Sequence, residues 1–203
     1  MQNFTIVEGN ITNIESLHVF NPDNINVILN NVNCQGRMGA GINFHLKERY
    51  NNLERPYIDF VNQVDKTYRR SLLGQVLTTQ VNQNTHVFNV FGQQFYGSDK
   101  RHLSYDALHD ALERVAAMIG EGSPNIDIYM PYMLGCDRAG GNTEIVKAIV
   151  AETIGRLQNN IYAIKFVPAH KQYEGQENYE YYKQHMLGKN DAPTHQSSIQ
   201  TRW

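Results

Sequence analysis

Two glycine-rich loops constrain the fold of this chain more than any other feature of its sequence. The first glycine loop, residues 36–41, reads GRMGAG, and the second glycine loop, residues 135–141, reads GCDRAGG. Each follows an apolar run typical of a buried strand, at 25–32 and 126–130, and each precedes a helical pattern. Since parallel strands end at one edge of a sheet, this repeated order predicts a mainly parallel sheet with both loops at its carboxyl edge.

Strand and helix patterns alternate along most of the remaining chain. Further strands are predicted at residues 4–7, 76–79, 87–91 and 161–167. Helices are predicted from 42 to 50, over 58–64 after Pro56, over 105–119 with Ser104 as the N-cap, and over 143–157. The alternation indicates an α/β fold of three layers, in which helices cover both faces of a mixed, mainly parallel sheet.

Length and composition narrow the class of protein. The 203 residues suit one domain, predicted over residues 1–170, and an extension over 171–203 that is helical at first and then flexible. With 18 Lys and Arg against 20 Asp and Glu, a nucleic-acid polymer is not the expected partner. No secretory signal, membrane-spanning run or CxxC pair occurs, so we expect a cytoplasmic protein with reduced thiols. No spacing typical of metal ligands occurs either, and we expect no metal and no cofactor.

The two loops have the chemistry of an anion site. Glycine allows positive φ angles and lets a ligand approach the backbone closely. The helix after each loop would direct its free N–H groups and its positive dipole end at an anion. Two such loops could hold a diphosphate from both sides. Neither loop is a P-loop, because no GK[ST] follows, and neither has the GxGxxG spacing of a dinucleotide site.

The same residues resemble the macrodomain family. The matching motifs are VEGNI at 7–11, NVNC at 31–34, MGAGI at 38–42, MP at 130–131 and LGCDRAGG at 134–141. The resemblance spans residues 4–168 and is closest to the branch of ADP-ribose-1″-phosphate phosphatases, terminal ADP-ribose hydrolases and macrodomain antitoxins of DNA ADP-ribosylation. The segments FGQ at 91–93 and KRHLSYDAL at 100–108 are similar to phage-encoded members that process ADP-ribose 1″-phosphate, for which the host cytoplasm is the expected compartment.

The resemblance implies a site for ADP-ribose or a derivative. Asn10 would lie near the adenine, Asn33 would face the distal ribose, and residues 39–42 would give backbone N–H groups to the diphosphate. The second glycine loop would close over the diphosphate and the distal ribose. The implied ligand-binding residues are Gly9, Asn10, Ile11, Asn33, Met38, Gly39, Ala40, Gly41, Ile42, Phe91, Gln93, Gly135, Cys136, Asp137, Arg138, Ala139, Gly140 and Gly141.

Several positions depart from the pattern of the family. Gln93 stands where the hydrolases and antitoxins have a lysine that can act as a nucleophile, and Asn43 stands where another hydrolase group has an aspartate. In the second glycine loop, Asp137 replaces a glycine, and Asn142 and Thr143 replace an Asp–Trp pair. Amides bind ligands well but are poor acids and bases, so these substitutions favour binding over catalysis.

The remaining candidates for catalysis are Asn33, which would position a water, and His45 and Asp137, which would assist its attack. Two of these have an alternative: His45 is also compatible with an inert residue on the sheet-facing side of its helix, and Asp137 with an exposed residue that caps the next turn. His102 is expected to be a surface loop residue, and the thiols of Cys34 and Cys136 to be packing groups that come near each other if the loops converge.

Three functions follow from these residues. The first is an enzyme that removes phosphate from ADP-ribose 1″-phosphate or hydrolyses an ADP-ribosyl bond. The second is a binding module for ADP-ribose, free or attached to protein, which includes a sponge for a nucleotide signal. The third is a structural protein with an unused pocket.

Overall fold

The computed structural model describes residues 4–120, 123 and 125–167. The strands are β1 (Phe4–Gly9), β2 (Ile25–Asn33), β3 (Val76–Gln80), β4 (Thr85–Gln93), β5 (Ile126–Pro131) and β6 (Asn160–Phe166). The helices are α1 (Gly41–Arg49), α2 (Glu54–Asn62), α3 (Tyr105–Ile119) and α4 (Thr143–Glu152). Short 3-10 helices span Ile11–Ser16, Lys66–Leu72 and Ile154–Arg156. The predicted extension over 171–203 lies outside the described residues.

The strands form one six-stranded sheet in the order β1-β6-β5-β2-β4-β3. All neighbours are parallel except β3, which pairs antiparallel with β4. The predicted mixed, mainly parallel sheet is therefore confirmed. Because β5 and β2 are neighbours, the two glycine loops begin side by side at the carboxyl edge of the sheet.

Helices cover both faces of the sheet and enclose two hydrophobic cores. Val27 and Leu29 of β2 point to one face, where they pack in a cluster with α3 and α4. Ile28 and Val32 point to the other face and pack in a cluster with α1 and α2. Residues 26–33 are all buried, which explains the apolar centre Val27–Leu29 that predicted this strand, although four of the eight residues are buried asparagines. The three-layer α/β/α fold is thus confirmed.

Most predicted elements are present, with shifts at their ends. The helix predicted over 143–157 ends at Glu152, because Thr153 leaves helical geometry (φ −94°, ψ −97°) and a short 3-10 helix follows. Helix α2 begins two residues before Pro56, which lies in the first turn, where its missing N–H breaks no hydrogen bond. Ser104 caps α3 as predicted, since its side chain accepts from the backbone N–H of Ala107. The 3-10 helices over Ile11–Ser16 and Lys66–Leu72 were not predicted. No helix in the described ranges is long and apolar enough to cross a membrane.

Candidate functional site

The candidate site is the crevice between the carboxyl ends of β2 and β5. The chain leaves β2 towards α1 on one face of the sheet and leaves β5 towards α4 on the other face. Such a reversal opens a crevice in which ligands of α/β sheets bind. The two glycine loops touch here, because a Cβ placed on Gly41 would lie 3.0 Å from Cδ of Arg138. The side chain of Arg138, an exposed residue of the second loop, therefore passes the start of α1.

The N-terminus of α1 is available to an anion. Its N-cap residue is Ala40, and no side chain of the described residues caps it. Gly39 and Ala40 are exposed, so the unpaired N–H groups of the first turn border solvent. Helix α4 differs, because the Asn142 side chain accepts from the N–H groups of Glu144 (2.9 Å) and Ile145 (3.2 Å). The free N–H groups and the positive dipole end thus favour an anion at α1 rather than at α4.

The glycines of the second loop are explained by packing inside the protein. Gly135 and Gly140 have φ of +71° and +70°, which other residues rarely adopt. A Cβ on Gly135 would lie 2.8 Å from Cδ1 of Leu103, and one on Gly141 would lie 2.5 Å from its Cδ2. The backbone of Arg101 similarly approaches Gly140. The second loop is therefore glycine-rich because residues 100–103 pack directly against it.

Gly39 of the first loop has no such explanation. A Cβ at this position would meet no heavy atom within 4 Å. Its φ is not among the positive angles of the described glycines, so its backbone suits other residues as well. Neither packing nor backbone strain requires a glycine here. A glycine at such a position leaves the backbone open to close approach from the crevice.

Asn33 shapes the first glycine loop from within. Its Oδ1 accepts from the backbone N–H of Gln35 (3.0 Å) and of Arg37 (3.3 Å), and its Nδ2 donates to the Arg37 carbonyl (2.7 Å). The Tyr57 hydroxyl lies 3.2 Å from the same Oδ1. With Asn33 only 3% exposed, its amide is engaged in the loop itself. The role predicted for Asn33, positioning a water, stays a prediction that this arrangement does not favour.

Two of the amides that depart from the family pattern belong to hydrogen-bond networks at the end of β2. Asn43 of α1 accepts from Nδ2 of Asn30 (2.8 Å) and donates to the Asn31 carbonyl (3.1 Å), which pins α1 to β2. Gln93 accepts from Nδ2 of Asn31 (2.9 Å) and donates to the Phe95 carbonyl (2.9 Å). These networks were missed at the sequence level, because a polar residue within an apolar run does not reveal its partner.

The structure places His45 and Asp137 at the surface. His45 lies on the outward face of α1, and its ring makes an edge contact with Phe44, with centroids 5.5 Å apart. The alternative of a sheet-facing His45 is therefore wrong, because Leu46 and Asn43 occupy that side of the helix. The Asp137 carbonyl accepts from the Gly140 N–H (3.0 Å), whereas its carboxylate has no hydrogen bond within the described part of the chain. Asp137 is thus the exposed loop residue of the alternative, although only its backbone carbonyl closes the next turn, and the side-chain cap of α4 is Asn142.

His102 is not the surface residue that the sequence suggested. Its side chain is 6% exposed, and its Nε2 lies 2.9 Å from Oδ1 of Asp99. The His102 ring holds the pKa of the Asp99 carboxyl below its usual range by hydrogen bonding. The backbone N–H of His102 donates to the Ala139 carbonyl (2.9 Å). The Asp99–His102 pair therefore stabilises the segment that packs against the second glycine loop.

The two thiols are packing groups on opposite faces of the sheet. Cys34 is fully buried in the core under α1 and α2, and Cys136 is buried in the core under α3 and α4. The expectation that they come near each other is therefore wrong, since the sheet separates them. Burial raises the pKa of Cys34 to about 12 and also raises that of Cys136. Neither thiol is an activated nucleophile.

Several of the implied ligand-binding side chains are enclosed in the cores. Phe91 is fully buried, with its ring centroid 5.9 Å from that of Tyr57, so its contact with a ligand stays a prediction that this packing does not favour. The side chains of Ile11, Met38, Cys136 and Ala139 are also largely buried.

Asn10 follows β1 at the same edge of the sheet. It uses its Oδ1 to accept from the N–H (3.0 Å) and the hydroxyl (2.8 Å) of Thr12, which leaves its amide N–H groups for a ligand. Gly9, just before it, is needed because a Cβ there would run into the Leu17 side chain.

Among the described residues, no group of three or more His, Cys, Asp or Glu side chains could hold a metal ion.

A six-stranded sheet of this order, with two glycine loops at its carboxyl edge, defines the macrodomain fold, and the solved structures agree. A macrodomain protein from Streptomyces coelicolor superposes with a TM-score of 0.62 at 19% identity over 80% of this chain and 98% of its own. The macrodomain of Thermus aquaticus DarG gives 0.59 at 18% identity over 81% and 98%. Thermosipho africanus DarTG in complex with ADP-ribose gives 0.61 at 15% identity over 83% and 42%. The chain has the macrodomain fold.

Sequence comparison points to one branch of that fold. The chain is 27% identical over 114 residues to the ADP-ribose 1″-phosphate phosphatase of Saccharomyces cerevisiae strain YJM789. The match covers 53% of this chain and 58% of the relative, less than two thirds of the relative's length. No family model matches the chain. This match confirms the predicted resemblance to the branch that processes ADP-ribose 1″-phosphate.

Proposed function

We propose that this protein binds ADP-ribose, or a derivative of it, with the diphosphate at the N-terminus of α1. The observation that carries the proposal is the uncapped first turn of α1 beside Gly39, the glycine that nothing inside the protein requires. A diphosphate there accepts hydrogen bonds from the free N–H groups of residues 41–43 and forms an ion pair with Arg138 of the second loop. Arg138 comes from the second loop and the N–H groups from the first turn of α1, so groups from both loops would neutralise the charge of the diphosphate.

The adenine and the distal ribose occupy opposite ends of the crevice in this proposal. Asn10, at the end of β1, offers its amide N–H groups to the base. The second glycine loop covers the distal ribose. Thermosipho africanus DarTG, which shares the fold, is solved with ADP-ribose, and this supports the choice of ligand. Peptide-bound ADP-ribose is a further ligand of the same chemistry, and the proposed compartment is the cytoplasm, which suits two free, buried thiols.

The proposed reaction is the hydrolysis of ADP-ribose 1″-phosphate to ADP-ribose and inorganic phosphate. The name of the Saccharomyces cerevisiae relative supports this substrate. Asp137 is the group that would orient the attacking water, because its exposed carboxylate lies next to Arg138 and makes no hydrogen bond among the described residues. His45, on the outward face of α1, is the second candidate for proton transfer.

A binding module without turnover is the alternative function, and one observation favours it. The amides of Asn33, Asn43 and Gln93 all make hydrogen bonds inside the protein, so none of them is free for chemistry. Such a protein would sequester ADP-ribose or a signal that contains it.

Two measurements test the proposals in order. Calorimetric titration with ADP-ribose should give micromolar binding at one site, with ADP as the control that lacks the distal ribose. No heat at millimolar ADP-ribose would remove the proposed function while leaving the fold in place. Release of inorganic phosphate from ADP-ribose 1″-phosphate then separates enzyme from binding module. Turnover that Asp137→Asn abolishes without weakening ADP-ribose binding supports the phosphatase, and binding without phosphate release supports the alternative.

A further inference from the structure

The hydroxyl of Tyr57 lies under the first glycine loop without reaching the crevice. Tyr57 belongs to α2 and is fully buried, with its ring against Phe91. Its hydroxyl donates to the Asn33 carbonyl at 2.5 Å. Burial raises the pKa of this hydroxyl above its usual range, so it stays protonated as a donor. The hydroxyl therefore contacts the end of β2 directly and reaches the first residues of the loop through the Asn33 side chain.

The same hydroxyl supports the side chain that closes the loop. It lies 3.2 Å from Oδ1 of Asn33, which also accepts from the Gln35 and Arg37 N–H groups. Strand β2 is bulged at this point, since its register with β4 shifts between Asn31 and Asn33. A bulge ends regular pairing and redirects the chain. Beyond the bulge, the Cys34 N–H still donates to the Gln93 carbonyl (2.9 Å), and Tyr57 adds a second support from the α2 side.

The residues held in this way lead directly into the anion site. Arg37 is followed by Met38, whose buried side chain is the next anchor, and then by the exposed Gly39 and Ala40. The path of residues 33–37 sets where the free N–H groups at the start of α1 point. A backbone shift of a few tenths of an ångström there would lengthen hydrogen bonds to a diphosphate, whose strength depends on distance and angle.

We infer that Tyr57 is a positioning residue: its hydroxyl fixes the first glycine loop in the geometry that binds an anion, and it acts on affinity without touching the ligand. The inference deepens the proposed function and rests on it. The competing explanation is that the hydroxyl serves only global stability.

A matched control separates the two explanations. Tyr129 is also fully buried, on the same face of the sheet, but its hydroxyl has no hydrogen-bond partner among the described residues. Tyr57→Phe and Tyr129→Phe each delete one buried oxygen and nothing else. Tyr57→Phe should weaken ADP-ribose binding about three- to tenfold, the effect of losing one hydrogen bond, whereas Tyr129→Phe should leave affinity unchanged.

Amide hydrogen exchange gives a readout that needs no ligand. In Tyr57→Phe the amides of residues 35–41 should exchange about tenfold faster, while those of α3 keep the wild-type rate. Asn33→Ser, which shortens the side chain that Tyr57 supports, should change the same amides, and it replaces Tyr57→Phe if that variant does not fold. Wild-type exchange across 35–41 and wild-type affinity in Tyr57→Phe would overturn the inference. If the wild-type protein does not bind ADP-ribose, the proposed function fails, and the exchange rates alone decide whether Tyr57 fixes the loop.

Discussion

Replacing Gly39 with alanine should separate binding from stability. The new Cβ enters open space, since no heavy atom lies within 4 Å, and the backbone conformation needs no positive φ. Alanine also restricts the unfolded chain more than glycine does. The free protein therefore tolerates the change, and only a ligand that approaches this backbone would meet the methyl group.

The magnitudes have opposite signs. A Gly→Ala change at an unstrained position stabilises by about 0.4–1 kcal/mol, which corresponds to a melting temperature higher by about 1–4 °C for a chain of this size. A methyl group between the loop and a diphosphate breaks at least one charge-assisted hydrogen bond, of about 1.5–3 kcal/mol. Since about 1.4 kcal/mol is a factor of ten, the affinity for ADP-ribose should fall about ten- to hundredfold.

The assay combines thermal unfolding with titration of ADP-ribose on one preparation, and Gly135→Ala is the control. At Gly135 the added Cβ lies 2.8 Å from Leu103 and φ is +71°, so this variant should lose stability by about 1–3 kcal/mol. Wild-type affinity in Gly39→Ala would refute the placement of the ligand at this backbone. A lowered melting temperature in that variant would instead refute the claim that Gly39 has no structural task.

Three further predictions concern the supports of the site. Leu103→Ala should lower the free energy of unfolding by about 2–5 kcal/mol in a denaturant titration, because Leu103 is 2% exposed and fills the space beneath the second loop; a loss below about 1 kcal/mol would contradict that packing. Asn43→Asp should lower the melting temperature, relative to the wild type, more at about pH 8 than at about pH 4. An ionised carboxylate would face the Asn31 carbonyl to which the amide now donates. The same difference from the wild type at both pH values would disprove this. Burial raises the pKa of Cys34 from 9.0 to about 12, so the free energy of unfolding should be unaffected by this thiol below pH 9.0 and fall as the pH rises towards 12. The native thiol should resist alkylation at neutral pH, and rapid labelling there would contradict its burial.

Much of the fold could be predicted from the sequence because its signals are local. The apolar run of β2 and the periodic helix of α3 are stabilised by burial that their own residue patterns reveal, and Ser104 marks the start of α3 by its own side chain. The ends of elements were less predictable. Helix α4 ends at Glu152 because Thr153 adopts φ −94° and ψ −97°. No glycine or proline stands at this position to mark the end in the sequence.

The site was predictable in its loops but not in the tasks of the individual residues. A glycine in the sequence means either that the protein itself leaves no room for a side chain or that a ligand does, and only coordinates distinguish these. A Cβ placed on Gly141 would lie 2.5 Å from Cδ2 of Leu103, whereas one on Gly39 would enter open space. In the sequence, both glycines belong to loops of similar composition. The same holds for amides: Asn33 and Gln93 look like ligand-binding groups in sequence, but their partners are the Arg37 and Phe95 carbonyls. The groups available to a ligand are therefore those without a partner inside the protein, and in this crevice they include the first turn of α1, the backbone at Gly39 and the side chain of Arg138.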